Sequence, residues 1–404
     1  MIKNYFSNPS KIFLFSSLFL FILLFLPIYK VNYKFEISNY IFVLFCFVSA
    51  YYGLKIGFIH NQKNSIVIKE DYNIKKVYKI CIIFSLIGII LTYYEFFMIR
   101  KIDLSLDFML NKNKWLSGDT SFRSALAAFF LSFSVFLIPL YYFNKKINNQ
   151  SNFFLMSVLL FTQYIAFQIL LGNRAPLIFI LTFVLICISY LNNNLKIKYL
   201  FFVFPFFIYL SGLIFDIRLK SYNSSLFDSL YFSGYSFLVS PKSSYLDNDL
   251  NSQFFLTSLY SIYLYLIHGF YEILYLIEKS EIYYDFGKNL FWLPIKLINV
   301  IFNIEFYSKD ILRTGVYNTY ISTFFRDFKI FAPIIIFIVF FIFTYPFKYF
   351  SNGNLSWFFT CSVILLYLLS SPFFSPFASG ITTYLLFNSI ILKIMLSIKK
   401  KNIF

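Results

Sequence analysis

The chain has 404 residues, of which 59% are hydrophobic and only 13% charged, with 60 Phe among them. A soluble protein of this length needs about a quarter of its residues charged to cover its surface, so lipid must form most of the surroundings here. The net charge of +17 comes with no aromatic-basic RNA motif and no separable basic domain, so the expected partners are membrane lipids and not nucleic acid.

Apolar stretches long enough to cross about 30 Å of hydrocarbon lie at 12–29, 37–59, 77–98, 123–143, 153–171, 175–191 and 199–215, and then at 330–346, 356–371 and 377–397. The first has basic Lys3 and Lys11 before it but no small-residue cleavage site, which predicts a retained span and not a cleaved signal. Cys46, Cys81, Cys187 and Cys361 each sit inside an apolar run, without metal or redox spacing, and read as small core hydrophobes. The division expected is an N-terminal membrane bundle of seven spans (1–215), an extracytoplasmic loop (216–328) and three C-terminal spans (329–404). Within the loop, 254–278 and 286–306 are apolar but carry His268, Glu272, Lys288 and Lys296, which predicts interfacial or partly inserted helices. If both cross, the count rises from ten spans to twelve. The class is an all-α polytopic membrane protein.

Alternating sides from a cytoplasmic N-terminus puts 17 Lys inside and 8 basic residues in the short loops outside, with 16 of the 18 acidic residues outside. That asymmetry predicts both termini in the cytoplasm. All six Arg (Arg100, Arg123, Arg174, Arg218, Arg313, Arg326) fall on the opposite side. A guanidinium keeps its charge and binds phosphate oxygens through two donors at once, so six on one face point to an anionic ligand; interfacial anchoring is the other reading, above all for Arg100 and Arg123.

Four places carry candidate chemistry. Gly172-Asn173-Arg174-Ala175-Pro176 is a hinge between two spans, where a charge faces a polar cavity or caps a turn. Arg218 closes the seventh span and either binds an anion or pairs with Asp216. His268 and Glu272 share a helix face at i and i+4, as a general base and its orienting group would, or as a structural hydrogen-bonding pair. Arg313 through Asn318, Tyr320, Arg326 and Asp327 gathers groups that suit sugar hydroxyls, a diphosphate and a protonated nucleophile, or an ordinary interfacial belt.

Together these segments resemble the bacterial oligosaccharide repeat-unit polymerases of O-antigen and capsule synthesis (Wzy-type). Gly172-Asn173-Arg174 is similar to the family's Gly-x-Arg. His268-Gly269-Phe270-Tyr271 through Leu274 to Phe286-Gly287, with Pro294 beyond, is similar to its polar-Gly-Tyr-x-x-Leu run and aromatic-Gly turn. Asn318-x-Tyr320 through Asp327-Phe328 is similar to its Asn/Thr-x-Tyr…Asp-Phe-Gly stretch, with Lys329 where Gly is usual and His268 where an amide is common. The resemblance implies a C-type glycosyltransferase-like membrane fold in the bacterial inner membrane with a periplasmic active face. It implies undecaprenyl-diphosphate-linked donor and acceptor glycans, and a chain-length regulator and a flippase as partners. Under it, Arg174, Arg218, Arg313 and Arg326 bind the diphosphate, Asp327, His268 and Glu272 handle the proton, and Asn318, Tyr320 and Tyr271 meet the glycan. No acidic cluster suits a divalent ion, so metal-independent chemistry without a cofactor is expected. An O-antigen ligase, or a lipid-linked oligosaccharide flippase, is the alternative.

Overall fold

The structure is a computed structural model, and it describes residues 8–62, 74–102, 111, 114–115, 122–148, 153–171, 174–191, 209, 212–213, 216, 237–242, 254–279, 285–302, 319–351 and 353–398. In chain order the helices are α1 (Pro9–Phe25), α2 (Ile37–Gln62), α3 (Ile74–Tyr93, prolonged by a π-helical turn Tyr94–Ile99), α4 (Phe122–Leu131), α5 (Ser134–Asn148), α6 (Phe154–Leu170) and α7 (Arg174–Leu191). After them come α8 (Phe254–Lys279), α9 (Trp292–Phe302), α10 (Tyr320–Phe328), α11 (Ala332–Ile342), α12 (Tyr345–Ser351), α13 (Phe358–Ser370) and α14 (Gly380–Ser397). The short strands β1 (Tyr29–Val31) and β2 (Val239–Pro241) pair antiparallel, Lys30 opposite Ser240. The fold is all-α and polytopic, with six stretches among the described residues long and apolar enough to cross a membrane. Most of the expected span 199–215, and all of 217–236 and 303–318, lie outside the described residues.

Side-chain contacts fix the direction of each helix. Gly53 of α2 meets the Phe337 backbone and Gly57 meets Phe341 and Thr344, so α2 and α11 run parallel and close. Small residues are what allow such an approach in lipid, where packing and not water exclusion holds helices together. α3 runs antiparallel to α4, since Gly88 abuts Leu131 while Arg123 lies over the Tyr94 ring. It runs parallel to α6, through Tyr78–Phe153 and Tyr93–Phe167. α1 and α13 are parallel (Ser16 Oγ to the Leu369 carbonyl, 2.6 Å; Phe19–Phe373), and α7 and α13 antiparallel (Tyr190–Phe358; Phe179–Phe374). Each pair has the relative direction that alternating spans require. Both ends of the described chain, Asn8 and Ile398, therefore lie at one end of the bundle, with Lys55, Lys79, Lys145, Lys348 and Lys393. Arg100, Arg123, the first residue of α7 (Arg174) and Arg326 lie at the other, the arginine end.

One core runs through both membrane blocks. The Phe13 ring of α1 touches Phe47 of α2, Tyr320 of α10 and Phe340 of α11 at 6.2, 6.0 and 5.4 Å. The last two are edge-to-face, and such pairs contribute about 0.5–1.5 kcal/mol each beyond their area.

Two elements depart from simple crossing. The apolar stretch Tyr320–Ser351 is not one span, because the Tyr320 and Phe340 rings are 5.3 Å apart. A continuous helix would separate them by about 30 Å. The chain reverses at Lys329, whose φ of 48° breaks the helix. α10 climbs to the arginine end and α11 descends beside it. α8 is long enough to span, yet residues along its length all meet the connection from α1 to α2. Tyr260 reaches the Ile28 carbonyl, Tyr263 donates to the Leu23 carbonyl (3.0 Å), Tyr271 pairs with Tyr29 (2.7 Å), and Tyr33 donates to Glu278 (2.7 Å). This helix lies along the end of α1 and its connection to α2.

Candidate functional site at the arginine end

α10 delivers Asp327 to a turn that precedes α9. Asp327 is fully buried, and its carboxylate caps that turn: Oδ1 accepts from the Asn289 backbone N–H (3.0 Å) and side-chain amide (2.8 Å), and Oδ2 accepts from the Leu290 N–H (2.8 Å). The backbones are tied as well, Asp285 N–H to the Arg326 carbonyl and Phe286 N–H to the Asp327 carbonyl, both 3.3 Å. Arg326 Nη2 lies 3.8 Å from Asp285 Oδ2, which also accepts from the Asn289 amide at 2.9 Å. Phe286 and Gly287, the aromatic-Gly turn, take φ of 45° and 87°, the region that favours glycine. The same is true of Lys329, where the resembled pattern has Gly; its ammonium lies 5.1 Å from the Phe325 ring centroid. With both oxygens committed, Asp327 holds two segments together and is a positioning group. Oδ1 accepts two of these bonds and Oδ2 one.

A second cluster closes α3. The π-helical turn places Glu95 and Arg100 in a buried ion pair, Arg100 Nε to Glu95 Oε1 at 3.1 Å, both side chains under 5% exposed. The Arg100 guanidinium stacks 4.4 Å from the Trp115 ring centroid and donates to the Trp115 carbonyl. π-turns inside helices recur at functional sites. Lys296 of α9 approaches Arg100; burial first, and then the Arg100 charge, push its ammonium pKa below the ordinary value. α9 thus joins the two clusters, with its N-terminal side at Asp327 and Lys296 by Arg100.

The third group lies on the buried face of α8. His268 and Glu272 are 1% and 4% exposed, one turn apart as their spacing predicts. His268 Nδ1 is 2.7 Å from the Tyr265 carbonyl, which fixes the ring along the helix. Tyr271 lies in an aromatic seam with Tyr29 and Phe35, and Tyr320 is fully buried with its hydroxyl donating to the Cys46 carbonyl at 3.4 Å. Both tyrosines expected at the glycan are therefore core residues whose hydroxyls already have protein partners.

Arg174 begins α7 at the arginine end; Arg218, Arg313 and Asn318 lie outside the described residues. Sequence reading missed Asn289, Glu95 and Trp115. Among the described residues no three His, Cys, Asp or Glu side chains group as a metal site requires. No protein-family profile matches the chain, and neither the curated proteins nor the solved structures contain a significant match.

Proposed function

We propose that this protein is a membrane glycosyltransferase that polymerises undecaprenyl-diphosphate-linked oligosaccharide repeat units, moving the growing glycan onto the next lipid-linked unit. The arginine end faces the periplasm in the inner membrane, and the lysine end with both termini faces the cytoplasm. The observation that carries this reading is the gathering of Arg100, Arg123, Arg174 and Arg326 at one end of the bundle. A diphosphate leaving group carries charge that develops as the glycosidic bond breaks, and preformed guanidinium donors stabilise it. The attacking sugar hydroxyl loses its proton to the His268–Glu272 pair once the seam between α8 and the α1–α2 connection admits the acceptor. Asp327 holds Arg326 and α9 in register. The membrane body accommodates the polyprenyl chains, and the C-type glycosyltransferase-like class belongs to this proposal.

Deleting the gene in its source bacterium tests it, with the surface-glycan ladder and the lipid-linked intermediates read together. A ladder collapsed to core plus one repeat unit is the expected result. Long lipid-linked polymer with no ladder would mean a ligase, single trapped units would mean a flippase, and an unchanged ladder would remove the proposal altogether.

A further inference from the structure

The helix α10 begins inside the bundle. Tyr320, its first residue, reaches the Cys46 carbonyl of α2, about 14 Å below the first residue of that helix at about 1.5 Å per residue. A helix start leaves N–H groups without intrahelical acceptors, and burying them in an apolar interior is costly. Here the Tyr320 N–H finds the Ser371 carbonyl at 3.2 Å, and the Ser322 N–H turns back on the Thr319 carbonyl at 3.2 Å. The hydroxyls do not share in this. Thr319 stands at the cap position (φ −71°, ψ 170°) yet makes no capping bond with its side chain. Its Oγ1 and the Oγ of Ser322 are buried, at 1% and 0% residue exposure, and neither meets a hydrogen-bond partner among the described residues. The neighbouring wall is the buried, mostly non-helical segment 371–377, with Ser375 against Thr323. Irregular backbone at membrane depth persists where it is enclosed by protein or lines a polar cavity.

We propose that the buried N-terminus of α10, with Thr319 and Ser322, is a binding site for one oxyanion group, a phosphate or a carboxylate, within the bundle. Thr319 Oγ1–H, Ser322 Oγ–H and the Ile321 N–H are the donors, and the helix dipole adds positive potential. The described acid on α10, Asp327, lies at the other end of this helix and is capped there, so it does not oppose an anion at the start. Half-helix starts near mid-membrane serve anionic groups in the same way in other membrane folds. A purely structural position would be better filled by Val and Ala, which leave no polar atom to satisfy. The site stands apart from the arginines and does not depend on the polymerase reading. Its anion comes either from the diphosphate of a lipid carrier or from an acidic sugar.

The test titrates the purified full chain in detergent with inorganic pyrophosphate and, separately, with glucuronate, by calorimetry. It compares wild type with Thr319→Val, Ser322→Ala and the pair. The expected result is binding of one of the two anions, weakened about tenfold by each single variant, as for one lost hydrogen bond to a charged group. The apo variants should melt at or above the wild-type temperature, and Thr319→Ser should keep the affinity. Pyrophosphate binding identifies a phosphate source and glucuronate binding an acidic sugar. Binding of neither anion, or equal affinity in wild type and the double variant, overturns the proposal. So does a fall in apo melting temperature in Thr319→Val and Ser322→Ala, which would show the hydroxyls to be structural.

Discussion

The two ends of the bundle are built on different principles. At the lysine end α2 and α11 touch through Gly53 and Gly57, α11 gives way to α12 at a turn, and Lys55, Lys145 and Lys393 stand at the periphery. At the arginine end α3 closes in a π-turn, α10 and α11 reverse at Lys329, α8 lies over the α1–α2 connection, and charged groups are buried in pairs. Close packing through small residues characterises the first end, whereas a π-turn, a left-handed reversal and a buried ion pair characterise the second.

The sharpest test of the contrast is the ion pair. Arg100→Met leaves Glu95 buried with no cation and removes the stack on Trp115, so stability should fall by about 3–5 kcal/mol, read by denaturation in detergent. Glu95→Gln together with Arg100→Met should recover most of that loss. No recovery would mean that the arginine acts through Trp115 alone. Next, Gly53→Leu would drive a side chain into the Phe337 backbone and should cost about 3 kcal/mol by overpacking, with no specific effect on the arginine end. If its melting loss came with labelling changes near Asp285, the two ends would be coupled. Asp327→Ala removes the acceptor for three donors and should cost about 2 kcal/mol, loosening α9, while Asp327→Asn keeps part of the cap and should cost less. Tyr271→Phe removes the bond to Tyr29 and should cost about 1 kcal/mol, which measures how firmly α8 is held to the connection.

The smallest effect concerns pH. Burial and Arg100 lower the Lys296 pKa, so between that value and the ordinary 10.5 the unfolded chain binds more protons than the folded one. Stability therefore rises with pH through this window and levels off above it. Lys296→Met should abolish that alkaline rise; a rise that persists in the variant would assign it to another group.

Much of the frame was legible in the sequence. Hydropathy marked most of the described helices, and simple alternation set relative helix directions with which side-chain contacts such as Gly53–Phe337 and Gly88–Leu131 agree. His268 and Glu272 stand inside the continuous helix α8, on its buried side, where their spacing put them on one face. The start of a span at 330 was legible; that 320–328 forms a separate helix packed back against it was not, because the left-handed turn between them falls on a lysine and not a glycine. The cap on Asp327 was hidden for a different reason. Its partner Asn289 is far away in sequence, so only the folded chain brings the carboxylate to those donors. The burial of Tyr320 and Tyr271 was not legible either, because tyrosine serves both surfaces and cores.

The account rests most heavily on the arginine end facing outward. Cys46, Cys81, Cys187 and Cys361 are all buried, which leaves a low background for labelling with a membrane-impermeant maleimide. Lys34 on the α1–α2 connection and Lys145 at the end of α5 are both exposed, at opposite ends of the bundle. In intact spheroplasts Lys34→Cys should react and Lys145→Cys should not, with Lys145→Cys reacting once the membrane is lysed. Labelling of Lys145→Cys in intact spheroplasts, with Lys34→Cys protected until lysis, would put the arginines in the cytoplasm and contradict the account.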